Sequence, residues 1–375
     1  MKLKPFLRGF GILAIVLTVI PLAAADYWWV RMFDYPHIQL TILTMVALVV
    51  YFARFNIKSW KDYSFVGLLA ICFLFQMVKI YPYLPHNDYE VGNASAEISK
   101  ANTIRFFAAN VLQKNKNSKL LIEELKKENP DMVLLTETNS KWKSELAEVT
   151  SKFPYKVEAP LNNTYGMLLY SRLKLKDPKV HYLIDDSIPS IHSIVQLDSG
   201  KEIQLYAIHP TPPMPQHNPS STDRDAEMMM IAKRARESKL PVIVAGDFND
   251  VAWSGTTGLF KKVGGLLDIR VGRGFYNTFN AGSNILRWPL DHFFVSEEFR
   301  LVKCQAMAGI DSDHFPFYIT VSLEPERAEE QIPEAPTANQ LKRANDQIAA
   351  AIKKQREEKE EEQKKNQKKQ ALLQE

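Results

Sequence analysis

Three apolar runs, separated by short polar segments, occupy the first 85 residues of the chain. Residues 9–25, 38–53 and 65–78 contain no charged side chain. Tyrosines and tryptophans flank the runs, and amphipathic rings of this kind prefer the membrane–water interface. Because about 20 apolar residues cross ~30 Å of hydrocarbon, the pattern predicts a membrane region at 1–84 with three transmembrane helices, at about 9–29, 36–53 and 64–83.

Basic residues around these runs predict the orientation of the membrane region. Six of them lie before the first run or between the second and third: Lys2, Lys4, Arg8, Arg54, Lys58 and Lys61. The loop between the first and second runs holds a single arginine, Arg31. The positive-inside rule therefore places the amino terminus in the cytoplasm and everything after Tyr83 outside. Alternatively, Ala23-Ala24-Ala25 is a signal-peptidase site, and cleavage there would leave two spans and the same outside location.

The pattern of apolar positions changes at residue 102, after a polar linker at 85–101. Short runs rich in β-branched and aromatic residues alternate there with amphipathic helical segments. Strands are predicted at 103–109, 132–136, 167–171, 193–197, 203–208, 242–245, 292–295 and 317–321, and helices at 118–129, 141–152 and 223–238. Several strands are apolar on both faces, which requires cover on both sides. The pattern predicts an α/β domain at 102–323, with layered sheets and outer helices.

The segment at 324–375 has the pattern of a charged tail. Three prolines at its start mark a boundary, and 337–375 is rich in alanine, glutamate, lysine and glutamine. Leu341, Ile348 and Ile352 form a helical stripe that does not continue to the end. This favours a solvated, partly disordered helix over a coiled-coil partner, and the sequence identifies no protein partner for the tail.

The overall composition sets two further limits. The formal net charge of +4 is small for 375 residues, so it gives no independent argument for nucleic-acid binding. The two cysteines, Cys72 and Cys304, cannot form a disulfide framework, and Cys72 lies inside an apolar run. We therefore expect no disulfide.

Polar side chains of catalytic type follow four of the predicted strands. They are Asn110, Glu137, His209 and Asp247. Open sheets place ligand sites at the carboxyl ends of their strands, so we expect these side chains to converge on one rim. Each residue alone could be a helix cap or a core residue, but the pairs Asp291-His292 and Asp313-His314 extend the series.

Six segments, taken in their order, resemble the endonuclease/exonuclease/phosphatase superfamily. They are Phe-Ala-Ala-Asn110, Leu-Leu-Thr-Glu137, Ala-Ile-His209-Pro, Gly-Asp247-Phe-Asn249, Leu-Asp291-His-Phe-Phe-Val-Ser and Ser-Asp313-His314-Phe-Pro. This superfamily includes deoxyribonuclease I, abasic-site endonucleases, neutral sphingomyelinases and inositol polyphosphate 5-phosphatases. The resemblance covers about 102–323 and implies a deoxyribonuclease-I-like layered β-sandwich flanked by helices. It is specific for the fold and the reaction type, and weak for the substrate.

The resemblance implies a divalent cation and its ligands. Asn110, Glu137 and Asp313 would bind or support Mg²⁺, a hard cation that takes carboxylate oxygens, with Mn²⁺ as its substitute. The cation would neutralise charge that develops on the phosphate during in-line attack of water.

The resemblance also implies five catalytic residues. Asp247, with Asn249 beside it, would orient and deprotonate the attacking water. His314, held by Asp291, would bind the phosphate or act as an acid. His209 would bind a non-bridging oxygen or protonate the leaving group. In the deoxyribonuclease branch a glutamate pairs with the histidine equivalent to His209, but the corresponding stretch here, 163–172, contains no acid, which weakens a nuclease assignment.

Three further residues are candidates for substrate contact: Arg224, Trp253 and Arg273. The arginines could bind a substrate phosphate. The tryptophan could stack on a base or a headgroup, with packing at the surface as the alternative. His292 is expected to face away from the site, and the proline-rich loop at 210–219, which contains His217, is expected to shape the rim.

The sequence thus predicts a membrane-anchored, Mg²⁺-dependent phosphoesterase that hydrolyses a phosphodiester: a lipid headgroup, a nucleotide or DNA. Gly-Arg-Gly-Phe at 272–275 and the apolar runs are similar to bacterial membrane-anchored members of the superfamily, which implies a multi-pass inner-membrane protein with a periplasmic catalytic domain. One alternative is a phosphomonoesterase of the same fold. Another is a catalytically inactive membrane scaffold, which would be expected to lack core site residues that are present here.

Overall fold

The computed structural model describes residues 3–23, 26–215 and 218–372. Ala24 and Ala25 of the predicted signal-peptidase site, and His217 of the predicted rim, lie outside these residues. The α-helices are α1 (Leu3–Val19), α2 (Trp28–Arg31), α3 (His37–Phe52), α4 (Trp60–Ile80), α5 (Lys119–Glu128), α6 (Ser140–Glu145), α7 (Ala147–Thr150), α8 (Thr222–Glu237), α9 (Gly255–Gly264) and α10 (Ala338–Leu372). The strands are β1 (Thr103–Asn110), β2 (Met132–Thr136), β3 (Tyr155–Ala159), β4 (Met167–Ser171), β5 (Lys174–Tyr182), β6 (Pro189–Gln196), β7 (Glu202–Ile208), β8 (Val242–Asp247), β9 (Leu267–Asp268), β10 (Asp291–Val295), β11 (Phe299–Ala306) and β12 (Phe317–Leu323).

The strands form two six-stranded mixed sheets that pack against each other. One has the order β11-β12-β1-β2-β4-β3 and the other β5-β6-β7-β8-β10-β9. Phe106, Leu205 and Phe293 belong to the apolar core that both sheets share. Within the first sheet β1 is parallel to β2, and within the second β7 is parallel to β8, while the other ladders are antiparallel.

Helices cover the outer face of each sheet. Leu121 of α5 and Trp142 of α6 share a buried cluster with Tyr170 of the first sheet. Met229 of α8 and Phe260 of α9 pack with residues of the second sheet in another cluster. The central strands are therefore apolar on both faces, and the prediction of an α/β domain with layered sheets and outer helices is confirmed.

Four strands have no counterpart among the predicted ones, and each is the edge of a sheet: β3, β5, β9 and β11. An edge strand carries polar and charged residues that interrupt its apolar run, and β5 contains three lysines and a proline. Helix α9 was missed because three of its ten residues are glycine, a poor helix former. The single helix predicted at 141–152 is instead two short helices that meet at Leu146.

Helices α1, α3 and α4 pack into a bundle at the amino terminus. Ala14, Ala47 and Leu69 meet in its interior, while many large apolar side chains on its outside are exposed. Two segments of the described residues have the length and composition needed to cross a membrane: Leu3–Ala23, with 21 residues, and Trp60–Tyr83, with 24. The third, α3, has 16 residues and falls short of the ~20 that span a bilayer.

Two segments predicted to lie outside the catalytic domain, the polar linker and the charged tail, are packed on it. In the linker at 85–101, Val91 is fully buried, and backbone hydrogen bonds of 2.9 Å join Gly92 and Ala94 to Leu301. In the tail, α10 lies against α8 and α9. The first half of α10 packs through Ala344, Ile348 and Ala351, because small alanines allow the close approach of two helices.

Candidate active site

The strand-end residues lie at one edge of the two sheets. Because β1 runs parallel to β2 and β7 runs parallel to β8, the carboxyl ends of each pair lie side by side. In chain order the residues there are Asn110 at the end of β1, Glu137 after β2, His209 after β7 and Asp247 at the end of β8. Asp291 begins β10 and is paired with Asp247 in the antiparallel ladder.

Asn110 joins the two sheets at this edge. Its Nδ2 donates to Glu137 Oε1 at 2.9 Å and to Asp247 Oδ2 at 3.0 Å, and its Oδ1 accepts from the backbone N–H of Leu112 at 2.9 Å. The backbone N–H of Gln113 donates to Glu137 Oε2 at 3.2 Å. Glu137 has a φ of 57°, in the left-handed region that glutamate seldom adopts. Such conformations cluster at functional sites, and here the conformation holds the carboxylate against Asn110.

The turn after β8 fixes Asp247 and Asn249. Gly246 has a φ of 141°, and a Cβ there would lie 1.9 Å from the carbonyl oxygen of Ile208, so only glycine fits. Asp247 Oδ1 accepts from the backbone N–H of Asn249 at 2.9 Å, and Asn249 Nδ2 donates to the carbonyl of Pro210 at 3.0 Å. The backbone of Asn249 thus orients Asp247, while its side chain holds the turn against the 210 loop.

Two histidine rings lie beside Asp247. The Nε2 atoms of His209 and His314 are each 3.7 Å from Asp247 Oδ2, and His314 Nδ1 is 2.8 Å from Asp291 Oδ2. Burial acts to lower the pKa of His314, but the charges of Asp291 and Asp247 outweigh burial and raise the pKa to about 10. The His314 ring is therefore a cation at neutral pH in the free protein.

His209 has no acidic partner at its second ring nitrogen. Its Nδ1 is buried and has no hydrogen-bond partner among the residues that the structure describes. The ring of Tyr165 lies 5.4 Å from the ring of His209. Tyr165 belongs to the stretch at 163–172, which lacks the glutamate found in the deoxyribonuclease branch. In this protein His209 therefore contacts an aromatic ring from that stretch.

The donor set at this edge fits a divalent cation. Four carboxylates converge there: Glu137, Asp247, Asp291 and Asp313. Within the described part of the chain none of them forms an ion pair with lysine or arginine, and Asp247 and Asp291 pair with histidine only. Glu137 and Asp313, which are half-buried, thus have no ion-pair partner among the described residues, and carboxylate oxygens are the preferred ligands of Mg²⁺ and Mn²⁺.

Two overlapping donor sets are available for the cation. Asp247, Asp291 and His314 present ligand atoms within 4.8 Å of one another, whereas the sequence predicts Asn110, Glu137 and Asp313. We favour a site at Glu137 and Asp313, which both line the cavity, because Asp291 and His314 already bind each other. Asn110 directs Nδ2 toward the carboxylates, so its contacts suit an orienting residue.

The site opens into a cavity of about 430 Å³. Its polar wall comprises Glu137, His209, Asp247, Asn249, Asp313 and His314. Its apolar walls comprise Pro212, Pro213, Met214, Phe279, Trp288 and Leu290. Tyr35, Thr164 and Tyr165 complete the lining. Asn110 and Asp291 do not line the cavity but bind residues that do, and no motif marked the aromatic lining residues in the sequence.

The three candidates for substrate contact do not line this cavity. The guanidinium of Arg224 is buried, with Nη2 2.8 Å from Asp225 Oδ1 and Nη1 donating to the Asn249 carbonyl at 2.8 Å. Trp253 is buried and its Nε1 donates to the carbonyl of Asp34 at 2.8 Å, so no ring face is free for stacking. Arg273 stacks on the ring of Tyr89 at 3.9 Å. Arg224 and Trp253 thus hold segments next to the site, whereas Arg273 contacts the linker through Tyr89.

His292 faces away from the cavity, as the sequence suggested. It is fully buried, and its ring stacks on Phe294 at 5.2 Å and packs against Phe248 at 5.0 Å. Its Nε2 is 2.8 Å from the carbonyl oxygen of Asp250. His292 therefore holds β10 against the turn that carries Asp247.

Comparisons with known proteins agree with this fold. Humanized TDP2 of D. rerio has a TM-score of 0.50 and 17% identity, covering 59% of this chain and 99% of that one, and an endonuclease/exonuclease/phosphatase from Bacteroides vulgatus has the same values. D. rerio TDP2 complexed with single strand DNA product has a TM-score of 0.50 and 16% identity, with the same coverage. At this identity the similarity shows the fold alone.

No curated protein matches the sequence. A family model does match, over residues 104–314, and its description is the Endonuclease/Exonuclease/phosphatase family. The resemblance drawn from the six ordered segments is thereby confirmed. Because this match spans more than half of the chain, the protein belongs to the endonuclease/exonuclease/phosphatase family.

Proposed function

We propose that this protein is a membrane-anchored phosphoesterase that hydrolyses a phosphodiester with the help of Mg²⁺ or Mn²⁺. The arrangement around Asp247 carries the proposal. This buried carboxylate accepts hydrogen bonds from Asn110 and Asn249 and has two histidine Nε2 atoms at 3.7 Å. Its position among further carboxylates and beside a cavity suits the activation of water next to a phosphate.

Each side chain has a role that follows from its contacts. Asp247 orients the attacking water and accepts its proton. His314, made cationic by Asp291, binds a non-bridging oxygen of the phosphate. His209, which has no acid at Nδ1, presents Nε2 to the cavity and stabilises a phosphate oxygen or the leaving group. When bound by Glu137 and Asp313, the cation would neutralise negative charge on the phosphate.

The cavity favours a diester over a monoester. A monoester carries up to two negative charges at neutral pH, and a diester carries one. None of the described lining residues is lysine or arginine, and about half are apolar or aromatic. An apolar wall suits the second esterified group of a diester, which a monoester lacks.

The bundle contacts support an extracytoplasmic catalytic domain. At one end of the bundle Arg8 lies near the start of α4, with Nη2 2.9 Å from Asp62 Oδ1. At the other end Tyr83 donates to the carbonyl of Ala252 in the catalytic domain at 2.7 Å. The basic amino terminus and the catalytic domain are thus at opposite ends. By the positive-inside rule the domain lies on the outer side of the membrane, and the resemblance to bacterial members makes this side the periplasm.

The same contacts support three crossings, although α3 is short. The chain enters α3 next to the catalytic domain, where Tyr35 donates to the carbonyl of Asn249 at 2.8 Å. It leaves α3 at the opposite end, where the hydroxyl of Tyr51 accepts from Arg8 at 3.1 Å. If α1 and α4 cross the bilayer, α3 must cross it in between, and local thinning or flanking residues can accommodate a short span at modest cost.

The test is hydrolysis by the full-length protein in detergent. With Mg²⁺ or Mn²⁺ it should cleave bis-p-nitrophenyl phosphate, and cleave p-nitrophenyl phosphate more slowly. Asp247→Ala and His314→Ala should each lose about 100-fold or more of the diester activity. A folded protein that binds the cation but turns over neither ester would contradict the proposal and favour an inactive scaffold. A faster monoester reaction would favour the phosphomonoesterase.

A further inference from the structure

The membrane region contributes directly to the active-site wall. Tyr35 lies in the loop between α2 and α3 and lines the cavity. Its hydroxyl donates to the carbonyl of Asn249 at 2.8 Å, and its ring lies 5.8 Å from the ring of Trp288. Only Pro36 separates Tyr35 from the first residue of α3. The cavity is therefore contiguous with the end of an apolar helix.

Further contacts fix this end of the bundle around the cavity. The indole Nε1 of Trp253 donates to the carbonyl of Asp34 at 2.8 Å. Gln39, in the first turn of α3, donates to the carbonyl of Ile285 at 2.7 Å. The segment around Ile285 connects two cavity-lining residues, Phe279 and Trp288. A wall of the cavity thus lies at the level where α3 begins.

Residues 285–286, beside the start of α3, form a rim of the cavity that carries exposed apolar side chains. Ile285 is 75% exposed and Leu286 is 50% exposed, although water disfavours both. Met214, on the wall formed by the 210 loop, is 41% exposed. Exposed apolar side chains next to the end of a membrane helix are suited to the interfacial layer of a bilayer. The rim is therefore built to contact the lipid surface that surrounds the bundle.

From these observations we infer that the substrate is a phospholipid whose phosphodiester enters the cavity from the bilayer, between Tyr35 and the rim at 285–286. The inference rests on the proposed phosphodiesterase function and names its substrate. The phosphate would reach the polar wall at Asp247 and His314, while the diacylglycerol part stays against the apolar wall and the rim. Water supplies the oxygen that bonds to phosphorus, one ester P–O bond breaks, and the leaving alcohol takes up a proton.

The electrostatics of the cavity disfavour a nucleic acid. Proteins that bind single strands use a positively charged groove that follows several phosphates, and no described lining residue is lysine or arginine. Arg287, on the rim segment, stacks on the ring of Phe315 at 4.8 Å. The site has one cluster of phosphate-binding groups beside apolar walls, which matches a ligand with a single diester and an apolar body.

The test compares three substrates with the full-length protein reconstituted in vesicles of phosphatidylethanolamine and phosphatidylglycerol. Lipid hydrolysis is followed by phosphorus NMR, and bis-p-nitrophenyl phosphate and single-stranded DNA are assayed in parallel. The lipid should be cleaved, and the DNA should not. The double variant Ile285→Ser, Leu286→Ser should lose about tenfold in lipid hydrolysis, since it removes two apolar contacts with the bilayer, and should keep the wild-type rate on the soluble diester. Val302→Ser, which removes an exposed apolar side chain of β11, is the control and should change neither rate.

The outcomes separate this inference from the function on which it rests. If the protein hydrolyses the soluble diester in a reaction that requires Asp247 but does not hydrolyse lipid, the lipid substrate is rejected. The proposed phosphodiesterase function then still holds. Efficient cleavage of DNA overturns the lipid substrate as well. If the protein cleaves none of the three, the phosphodiesterase itself is rejected. A rim double variant that hydrolyses lipid as fast as the wild type contradicts entry at 285–286.

Discussion

Asn110 Nδ2 donates to Asp247 Oδ2 at 3.0 Å and thereby connects β1 of one sheet to β8 of the other. The same Nδ2 donates to Glu137 at 2.9 Å. One amide group thus aligns two carboxylates of the candidate site, contributed by different sheets. The relative position of the sheets and the geometry of the site therefore depend on each other.

Replacing Asn110 should affect both activity and stability. Asn110→Ala leaves Glu137 and Asp247 without a shared donor, which should cost about 1–3 kcal/mol in the free energy of unfolding and about 10–100-fold in diester hydrolysis. Denaturant unfolding and initial rates measure the two effects. Asn117→Ala is the control, because the side chain of Asn117 binds Asp311 in an exposed position. An Asn110→Ala protein with wild-type activity would show that the link between the sheets is dispensable.

Asp291→Asn should change how stability depends on pH. The pKa of His314 is raised from 6.5 to about 10 in the folded protein, against the effect of burial, by Asp291 and Asp247. The protonated ring therefore stabilises the fold, fully below pH 6.5, and the stabilisation is lost as the pH rises through about 10. Asp291→Asn should lower the unfolding temperature most near pH 6.5 and least near pH 10, measured with a chelator present. Asp311→Asn, at an exposed aspartate, is the control and should show no such dependence on pH. If Asp291→Asn lowers the unfolding temperature equally at both pH values, the ion pair of Asp291 and His314 does not stabilise the fold.

Replacing Glu227 should stabilise the protein at high pH, whereas Asp291→Asn should destabilise it. Burial, and then the charges of Asp185 and Asp223, raise the pKa of Glu227 from 4.5 to about 8. The folded state thus holds a proton that the unfolded state releases, so stability decreases as the pH rises from 4.5 toward 8. Glu227→Gln should raise the unfolding temperature at pH 8 and change it little at pH 4.5. Glu237→Gln, exposed on the same helix, is the control, and equal effects of the two variants at pH 8 would contradict the assignment.

Binding of the cation should be detectable without any substrate. A ligand that binds only the folded state stabilises it, by about 2.7 kcal/mol at a concentration 100 times its Kd. Mg²⁺ or Mn²⁺ should therefore raise the unfolding temperature of the wild-type protein, and a chelator should reverse the change. Glu137→Gln should reduce the increase strongly, whereas Glu148→Gln, at an exposed glutamate of α7, should retain it. If the cation raises the unfolding temperature of Glu137→Gln as much as that of the wild type, its site is instead the group of Asp247, Asp291 and His314.

The packing of the tail can be tested at two neighbouring alanines. Ala351 is fully buried against the domain, and Ala350 is exposed. Ala351→Glu places a charge in the contact and should cost about 1–3 kcal/mol or release α10 from α8. Limited trypsin digestion should then cut more readily at Lys353 and Lys354. Ala350→Glu should digest like the wild type, and equal digestion of the two variants would indicate a tail that does not pack.

The sequence alone was sufficient for the parts of the fold that repeat a simple pattern. All eight predicted strands have counterparts in the structure, because strands buried on both faces are continuous apolar runs. Asn110, Glu137, His209 and Asp247 could be named because they follow such strands directly, and parallel strands bring their carboxyl ends together. The remaining candidates of the site were named from the order of segments that resembles the family. The four edge strands were missed, because an edge strand is half exposed and its sequence resembles a loop.

Only the tertiary structure decided which side chains meet. Trp253 and Arg224 have the chemistry of substrate-binding residues, but both are buried beside Asp34 and Asp225 and do not line the cavity. Tyr35 lies 212 positions before Asp247 in the chain and yet lines the same cavity. Local sequence determines the type and position of each element, through apolar periodicity and turn residues. Contacts between distant segments depend on how complete elements pack, and no local pattern records that.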